Sequence, residues 1–188
     1  MKKKHNLYIF VVILALVAAL MYMQTSSPDG TPNTQIQGIK VEVAGTQLTY
    51  PSTYGTYEKS SSPYTKTTNT VVWYENTESN KNFFSGTPNA PTEPPTTMTL
   101  DVYTNPDNLE PRKLLEGYTP YMFAKGEGRQ LVLGGVPAQL FEWDGLYKGR
   151  SIMVTRNGFT YVFSVTAITQ EDQILKDFDL LLSSVSFK

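Results

Sequence analysis

Residues 148–168 read KGRSIMVTRNGFTYVFSVTAI, and this stretch decides the fold class. Two runs rich in β-branched and aromatic residues flank Asn157 and Gly158. Asn-Gly between such runs is the strongest short-range signal for a β-hairpin. Residues 148–156 and 160–168 are therefore predicted to form neighbouring antiparallel strands.

Alternation of apolar and polar residues predicts further strands before this hairpin. Met98, Leu100 and Val102 alternate with polar residues and are expected to face the core. The other predicted strands are 39–43, 48–50, 71–74, 130–133 and 138–143, with turns at Gly45, Gly134-Gly135 and Asp144-Gly145. Consecutive strands of the second half are expected to pair antiparallel.

Two helices are predicted among these strands. A short one begins near Pro111, because proline is tolerated in a first helical turn, and ends near Gly117. A closing amphipathic helix follows residues 169–172, and one apolar stripe is expected to pack it on the sheet: Ile174, Leu175, Phe178, Leu181 and Leu182. Val185 and Phe187 alternate again and predict a last short strand. This set of elements is typical of an α+β domain with an antiparallel sheet covered by helices.

The segment 77–95 is predicted to be a mobile loop. It carries four prolines, and Phe83 and Phe84 are its only large apolar residues. Such a segment buries too little apolar surface to offset its loss of conformational entropy on ordering.

Residues 1–24 are predicted to be a membrane anchor or signal. Three lysines precede residues 7–23, which carry no charged side chain. A helix of that length is about 25 Å long, the short limit for a hydrocarbon core of about 30 Å. The positive-inside rule places the N-terminus in the cytoplasm and the rest outside. A cleaved signal, which would release the protein, is the alternative, but Ala18 and Leu20 fit a small-x-small cleavage site poorly.

The composition of the remaining chain limits its partners. Residues 25–35, TSSPDGTPNTQ, are predicted to be a flexible linker, so the soluble domain is expected to span 36–188. Without the three N-terminal lysines, thirteen basic residues face seventeen acidic ones, which argues against nucleic acid as a partner. The chain has no cysteine, which excludes disulfides and lipoprotein-type attachment, and an exported domain without cysteine favours a bacterial source.

The candidates for chemistry are few. The one histidine, His5, lies beside the predicted anchor, so no histidine-dependent triad or histidine-ligated zinc is expected in the domain. Asp101, Glu142 and Asp144 are the candidates for the pair of carboxylates that glycoside hydrolysis requires. Glu142 and Asp144 share one side of a strand, but a spacing of two is also typical of a solvated strand face. No catalytic, cofactor-binding or metal-binding residue is assigned, and no cofactor is predicted.

Two other groups of side chains have a structural and a functional interpretation. Asp177 and Asp179 are expected on the solvent side of the closing helix. Six aromatic residues lie close together in the first half of the domain: Tyr50, Tyr54, Tyr57, Tyr64, Trp73 and Tyr74. Aromatic residues suit a binding surface. The favoured interpretation is that alternate residues of this group fill the core of the sheet.

Four stretches resemble the PsbP-like family, small extracytoplasmic domains related to an accessory protein of the photosystem oxygen-evolving complex. They are LTYP at 48–51, LGGVPA at 133–138, GFTYVFSV at 158–165, and the end of the chain from 178 to 187. The resemblance covers about residues 36–188 and implies an α/β/α sandwich without catalysis. No thylakoid targeting segment is evident, so a photosystem role is not expected.

These observations predict a membrane-tethered, noncatalytic accessory or binding protein outside the cytoplasmic membrane. Its partners are expected to be the membrane, through residues 7–23, and a protein or another component of the cell envelope. A carboxylate-dependent glycan hydrolase of the cell envelope is one alternative, and any two of Asp101, Glu142 and Asp144 would have to lie within about 10 Å of each other in one cleft for it. A structural surface protein such as a minor pilin is another, although no pilin-type Gly-Phe and nearby Glu flank the hydrophobic segment.

Overall fold

The computed structural model describes residues 38–62, 67–88, 90–119 and 125–188 of the chain. The predicted anchor and linker, residues 1–35, lie outside these ranges. Within them, no helix has the length and apolar character needed to cross a membrane.

The described residues form a mixed α/β domain in which antiparallel strands dominate. The strands are β1 (Gly38–Val43), β2 (Thr46–Pro51), β3 (Tyr54–Ser62), β4 (Thr67–Glu75), β5 (Thr97–Thr104), β6 (Arg129–Leu133), β7 (Val136–Asp144), β8 (Lys148–Arg156), β9 (Phe159–Ala167) and β10 (Ser186–Phe187). The helices are α1 (Glu78–Ser85), α2 (Pro111–Leu115) and α3 (Gln173–Ser183).

The strands form two sheets. The larger has the order β3-β4-β5-β9-β8-β7-β6, and the smaller has the order β1-β2-β10. Arg156 pairs with Phe159 at the end of the predicted β8–β9 hairpin. Asn157 and Gly158 both have positive φ, as a two-residue type I′ turn requires. The hairpin prediction is confirmed, whereas the division into two sheets was not predicted.

One face of the large sheet carries the main core. Met98, Leu100 and Val102 are fully buried there, as predicted. The small sheet and α3 cover this face, and α3 packs against β2, β9 and β5, with Phe178 and Leu181 fully buried. Of the predicted stripe, only Leu175 is half-buried rather than buried. The packing of the closing helix is therefore confirmed.

The opposite face of the large sheet carries the two shorter helices. Leu115 of α2 is buried against Phe141, Trp143 and Met153. Phe84 of α1 stacks on Tyr74 of β4, with the ring centroids 4.4 Å apart. Helices thus lie on both sides of the large sheet.

The loop prediction for residues 77–95 is wrong over its first half, which is helix α1. Thr77 caps this helix by accepting a hydrogen bond from the Asn80 backbone N–H at 3.2 Å, and Gly86 ends it with a φ of 67°. The prolines begin only after the helix. A capping threonine and a glycine just past the last turn are standard helix boundaries, so local signals for α1 were present.

Strand β3 was also missed, because its sequence YGTYEKSSS has no apolar alternation. It lies at the edge of the large sheet and pairs only with β4. Polar and charged residues are common in such edge strands, where they discourage pairing with other chains.

Candidate binding groove

Of the three acids singled out from the sequence, Asp101 lies apart from Glu142 and Asp144. Asp101 alternates with Leu100 and therefore points away from the main core. Glu142 and Asp144 follow the main-core residue Leu140 on β7 by two and four positions, so they share its face and point to the side opposite to Asp101. Strands β9 and β8 lie between β5 and β7, which separates the backbones by about 14 Å. Asp101 cannot share a site with the other two.

Glu142 and Asp144 do line a common small cavity of about 100 Å³, together with Lys125, Lys148 and Arg150. Lys125 forms an ion pair with Asp144, and this contact lowers the pKa of the Asp144 carboxyl. A glycosidase needs one carboxylic acid that stays protonated near neutral pH. The ion pair with Lys125 instead favours the charged carboxylate of Asp144.

The pKa of Asp101 is shifted in the direction opposite to that of Asp144. Burial raises the pKa of its carboxyl, and a hydrogen bond from Thr70 Oγ1 at 2.6 Å partly opposes that shift. No carboxylate partner accompanies it on β4 or β9, where the neighbouring residues are Thr70 and Val162. The acid is thus an isolated buried group rather than half of a pair.

The aromatic residues divide between the core and the surface. Four of the six are buried: Tyr50, Tyr54, Trp73 and Tyr74. Tyr57 is 40 % exposed, and Tyr64 lies outside the described residues. The core interpretation therefore holds for the four buried rings.

An open groove of about 420 Å³ lies between β1 and the outer strands β3 and β4. One wall consists of four consecutive residues, Val41 to Ala44. The side chains of neighbouring residues in a strand point to opposite faces of the sheet. Because consecutive residues of β1 line the groove, the groove runs along the edge of β1 and not along one face. The floor carries Thr56, Glu58 and Ser60 from β3 and Asn69, Val71 and Trp73 from β4. We call this feature the edge groove.

The groove exists because the small sheet stops at β1. Among the described strands, β1 pairs only with β2, and β3 pairs only with β4. Tyr50 of β2 packs on Trp73 with ring centroids 5.7 Å apart, so the small sheet covers β4. Beyond β1, the Thr56, Glu58 and Ser60 side chains remain exposed.

Two polar groups in the groove lack partners within the described part of the chain. Trp73 is fully buried at the floor, and its indole Nε1 has no hydrogen-bond acceptor. A buried donor without an acceptor costs about 1 to 3 kcal/mol. Glu58 is exposed and forms no ion pair, whereas Glu42 on the wall is paired with Lys188. The groove therefore presents one exposed carboxylate to an occupant, above a buried indole donor that has no acceptor among the described residues.

The groove was not predicted, because β3 was not recognised as a strand. Trp73 had been singled out as one of the aromatic residues, but its unpaired Nε1 carries no sequence signal. Across the described ranges, no group of histidine, cysteine, aspartate and glutamate side chains is arranged to hold a metal ion.

No family model matches the chain, and neither does any curated protein sequence. Cyanobacterial PsbP from Synechocystis sp. PCC 6803 is structurally similar with a TM-score of 0.52 and 12 % identity, over 83 % of this chain and 96 % of that one. LpqN, described as involved in cell envelope biogenesis of Mycobacterium tuberculosis, has a TM-score of 0.47 and 17 % identity over 82 % and 92 %.

A Bacteroides thetaiotaomicron VPI-5482 structure has a TM-score of 0.49 and 12 % identity over 81 % of this chain. The chain spans only 49 % of the length of that structure. The likeness to the cyanobacterial protein shows that the domain has a PsbP-like fold, as the resemblance predicted. At such low identity the likeness concerns the fold alone.

Proposed function

We propose that this protein is a noncatalytic accessory domain that works outside the cytoplasmic membrane and binds a protein partner in the edge groove. Residues 7–23 tether it. The observation that carries the proposal is the groove itself, where the uncovered edge of β1 lies beside an unpartnered Trp73 Nε1 and an unpaired Glu58. The PsbP-like fold supports it, because the family resemblance implies accessory roles.

The separation of the acids also favours binding over hydrolysis. A hydrolase would need a protonated acid beside a second carboxylate in one cleft. Here Asp101, whose pKa is raised, lies on the face opposite to Glu142 and Asp144. A binding role requires none of these groups to converge.

The location is tested by fractionating cells and treating intact cells with protease. We expect the full-length protein in the membrane fraction, with the residues beyond Thr25 cleaved from outside. A mature chain that begins near Pro28 would show a cleaved signal, and the domain would still act outside. Full-length protein in the cytosol would contradict the proposal.

The binding role is tested by photocrosslinking in living cells. A photoreactive amino acid is placed at Ser60, on the floor of the edge groove, and in a matched variant at Lys176, which is exposed on α3. We expect one protein adduct from position 60, identified by mass spectrometry, and no such adduct from position 176. Equal yields from both positions would contradict a role for the groove.

A further inference from the structure

We propose that the edge groove accepts an extended peptide segment of a partner, which adds a strand to the small sheet beside β1 and places a lysine or arginine against Glu58. This proposal rests on the proposed binding function and specifies its chemistry. Three features carry it: the backbone groups of β1, the uncovered face of β3, and the charge of the groove.

The backbone of β1 has groups available for another strand. Val43 pairs with Thr46 across the two-residue turn, and the pairing continues with Val41 opposite Leu48. In an antiparallel hairpin closed by such a turn, these residues direct their N–H and C=O groups to the partner strand. The residues between them, Lys40 and Glu42, direct theirs to the other edge. That edge has no strand partner within the described ranges.

The surface next to this edge suits a packed strand. Thr56, Glu58 and Ser60 alternate with Tyr57 and Lys59, so their side chains share the face toward the groove. Packed sheets lie about 10 Å apart, and neighbouring strands of one sheet about 4.8 Å apart. A strand added to β1 would therefore lie over β3 as the small sheet already lies over β4. The volume of about 420 Å³ is that of a ligand site.

The charge of the groove selects the occupant. Glu58 has no cationic partner among the described residues, and Lys188 already pairs with Glu42. Lys59 also lines the groove, but it follows Glu58 directly, so its side chain points to the opposite face of the sheet. The floor therefore presents one uncompensated negative charge, which a basic side chain complements.

The test uses the full-length protein, labelled with ¹⁵N, in detergent micelles. The probes are three ten-residue peptides of threonine, valine and serine that differ only in a central lysine, glutamine or glutamate. We expect the lysine peptide to bind about tenfold more tightly than the glutamate peptide. On binding, it should slow amide hydrogen exchange at Lys40 and Glu42 and shift the Trp73 indole resonance.

Two pairs of proteins provide controls. Glu58→Gln should retain binding but lose the preference for lysine that the parent shows. Glu42→Pro and Glu42→Ala both lose the contact with Lys188, but only proline removes the N–H that faces the open edge. We therefore expect Glu42→Pro to abolish peptide binding and Glu42→Ala to preserve it.

Three outcomes would overturn strand addition: no peptide binds, Glu42→Pro binds as well as Glu42→Ala, or binding leaves exchange at Lys40 and Glu42 unchanged. The last result is expected if the peptide binds through its side chains and not through its backbone. Because crosslinking from Ser60 detects any protein in the groove, it would still succeed if strand addition alone were wrong. If crosslinking from Ser60 and peptide binding both failed, the proposed binding function would be contradicted as well.

Discussion

The main-core face of the large sheet is covered very differently under helix α3 and at the β3 edge. Over β9 and β5, helix α3 inserts the fully buried Phe178, and the Arg150 guanidinium lies 5.3 Å from the centre of that ring. Over β3, the cover stops, and Glu58 faces solvent in the edge groove. The first region excludes water with apolar side chains, and the second leaves polar groups unsatisfied. Substitutions should therefore change stability in the first region and binding in the second.

The largest expected effect is that of Phe178→Ala. The ring is fully buried between α3 and the sheet, and deletion of a buried aromatic side chain typically costs about 3 to 5 kcal/mol. Chemical denaturation followed by circular dichroism measures the loss. Lys176→Ala is the control, because this exposed position of the same helix should change stability by less than about 0.5 kcal/mol. Equal stability of Phe178→Ala and the parent would show that the Phe178 side chain does not pack α3 on the sheet.

Asp177→Ala should cause the next largest loss of stability. This differs from the expectation that Asp177 is only a solvent-facing residue. Its Oδ2 accepts a 2.8 Å hydrogen bond from the hydroxyl of Tyr54, a residue that is 7 % exposed. Burial, and then this hydrogen bond, raise the pKa of the Tyr54 phenol. The variant leaves the hydroxyl without its acceptor, at a cost of about 1 to 3 kcal/mol.

Asp177→Asn is the matched control, because an amide oxygen can still accept the bond from Tyr54. Its free energy of unfolding, from the same denaturation experiment, should lie between those of the parent and Asp177→Ala. An alanine variant as stable as the asparagine variant would mean that this hydrogen bond contributes nothing to stability.

Asp101→Asn should act through pH, on the face of β5 opposite to the main core. Because burial raises the pKa of Asp101, the folded state binds the proton more tightly than the unfolded state. Asp101 therefore lowers stability as the pH rises from its ordinary pKa through the raised value. We expect Asp101→Asn to gain less than about 1 kcal/mol over the parent at neutral pH, and to lose that gain in acid.

Melting curves between acidic and neutral pH measure this difference. Asp172 provides a contrast of opposite sign, because hydrogen bonds from the side chain and backbone of Thr169 lower its pKa. The stability that Asp172 contributes is present above its ordinary pKa and is lost as the pH falls through the lowered value. An Asp101→Asn variant whose advantage grows in acid would contradict the assigned direction.

The smallest effect on stability is expected from Glu58→Gln in the edge groove. The side chain is exposed and has no ion-pair partner in the described ranges. The free energy of unfolding of the variant, measured by chemical denaturation, should therefore match that of the parent within about 0.5 kcal/mol. A larger loss would mean that Glu58 supports the fold. It would contradict the contrast between the region under α3 and the β3 edge.

Local signals explain which elements were predicted. Asn157-Gly158 identified the β8–β9 hairpin, because positive φ at two successive positions strongly favours such residues. The stripe that includes Phe178 identified α3 by its helical spacing. Strand β3 gave no such signal, since an edge strand with a solvent-exposed face requires no apolar alternation. Its omission removed one side of the edge groove from the sequence interpretation.

The sequence by itself determined the predominance of antiparallel strands, the closing helix and the absence of cysteine- or histidine-based chemistry from the domain, because these follow from residue types and short spacings. Tertiary structure alone decided where the small sheet ends, which face of the large sheet Asp101 and Glu142 occupy, and that Trp73 Nε1 and Glu58 meet in one groove. Such positions depend on pairing between strands that are distant in the chain. No local pattern records that pairing.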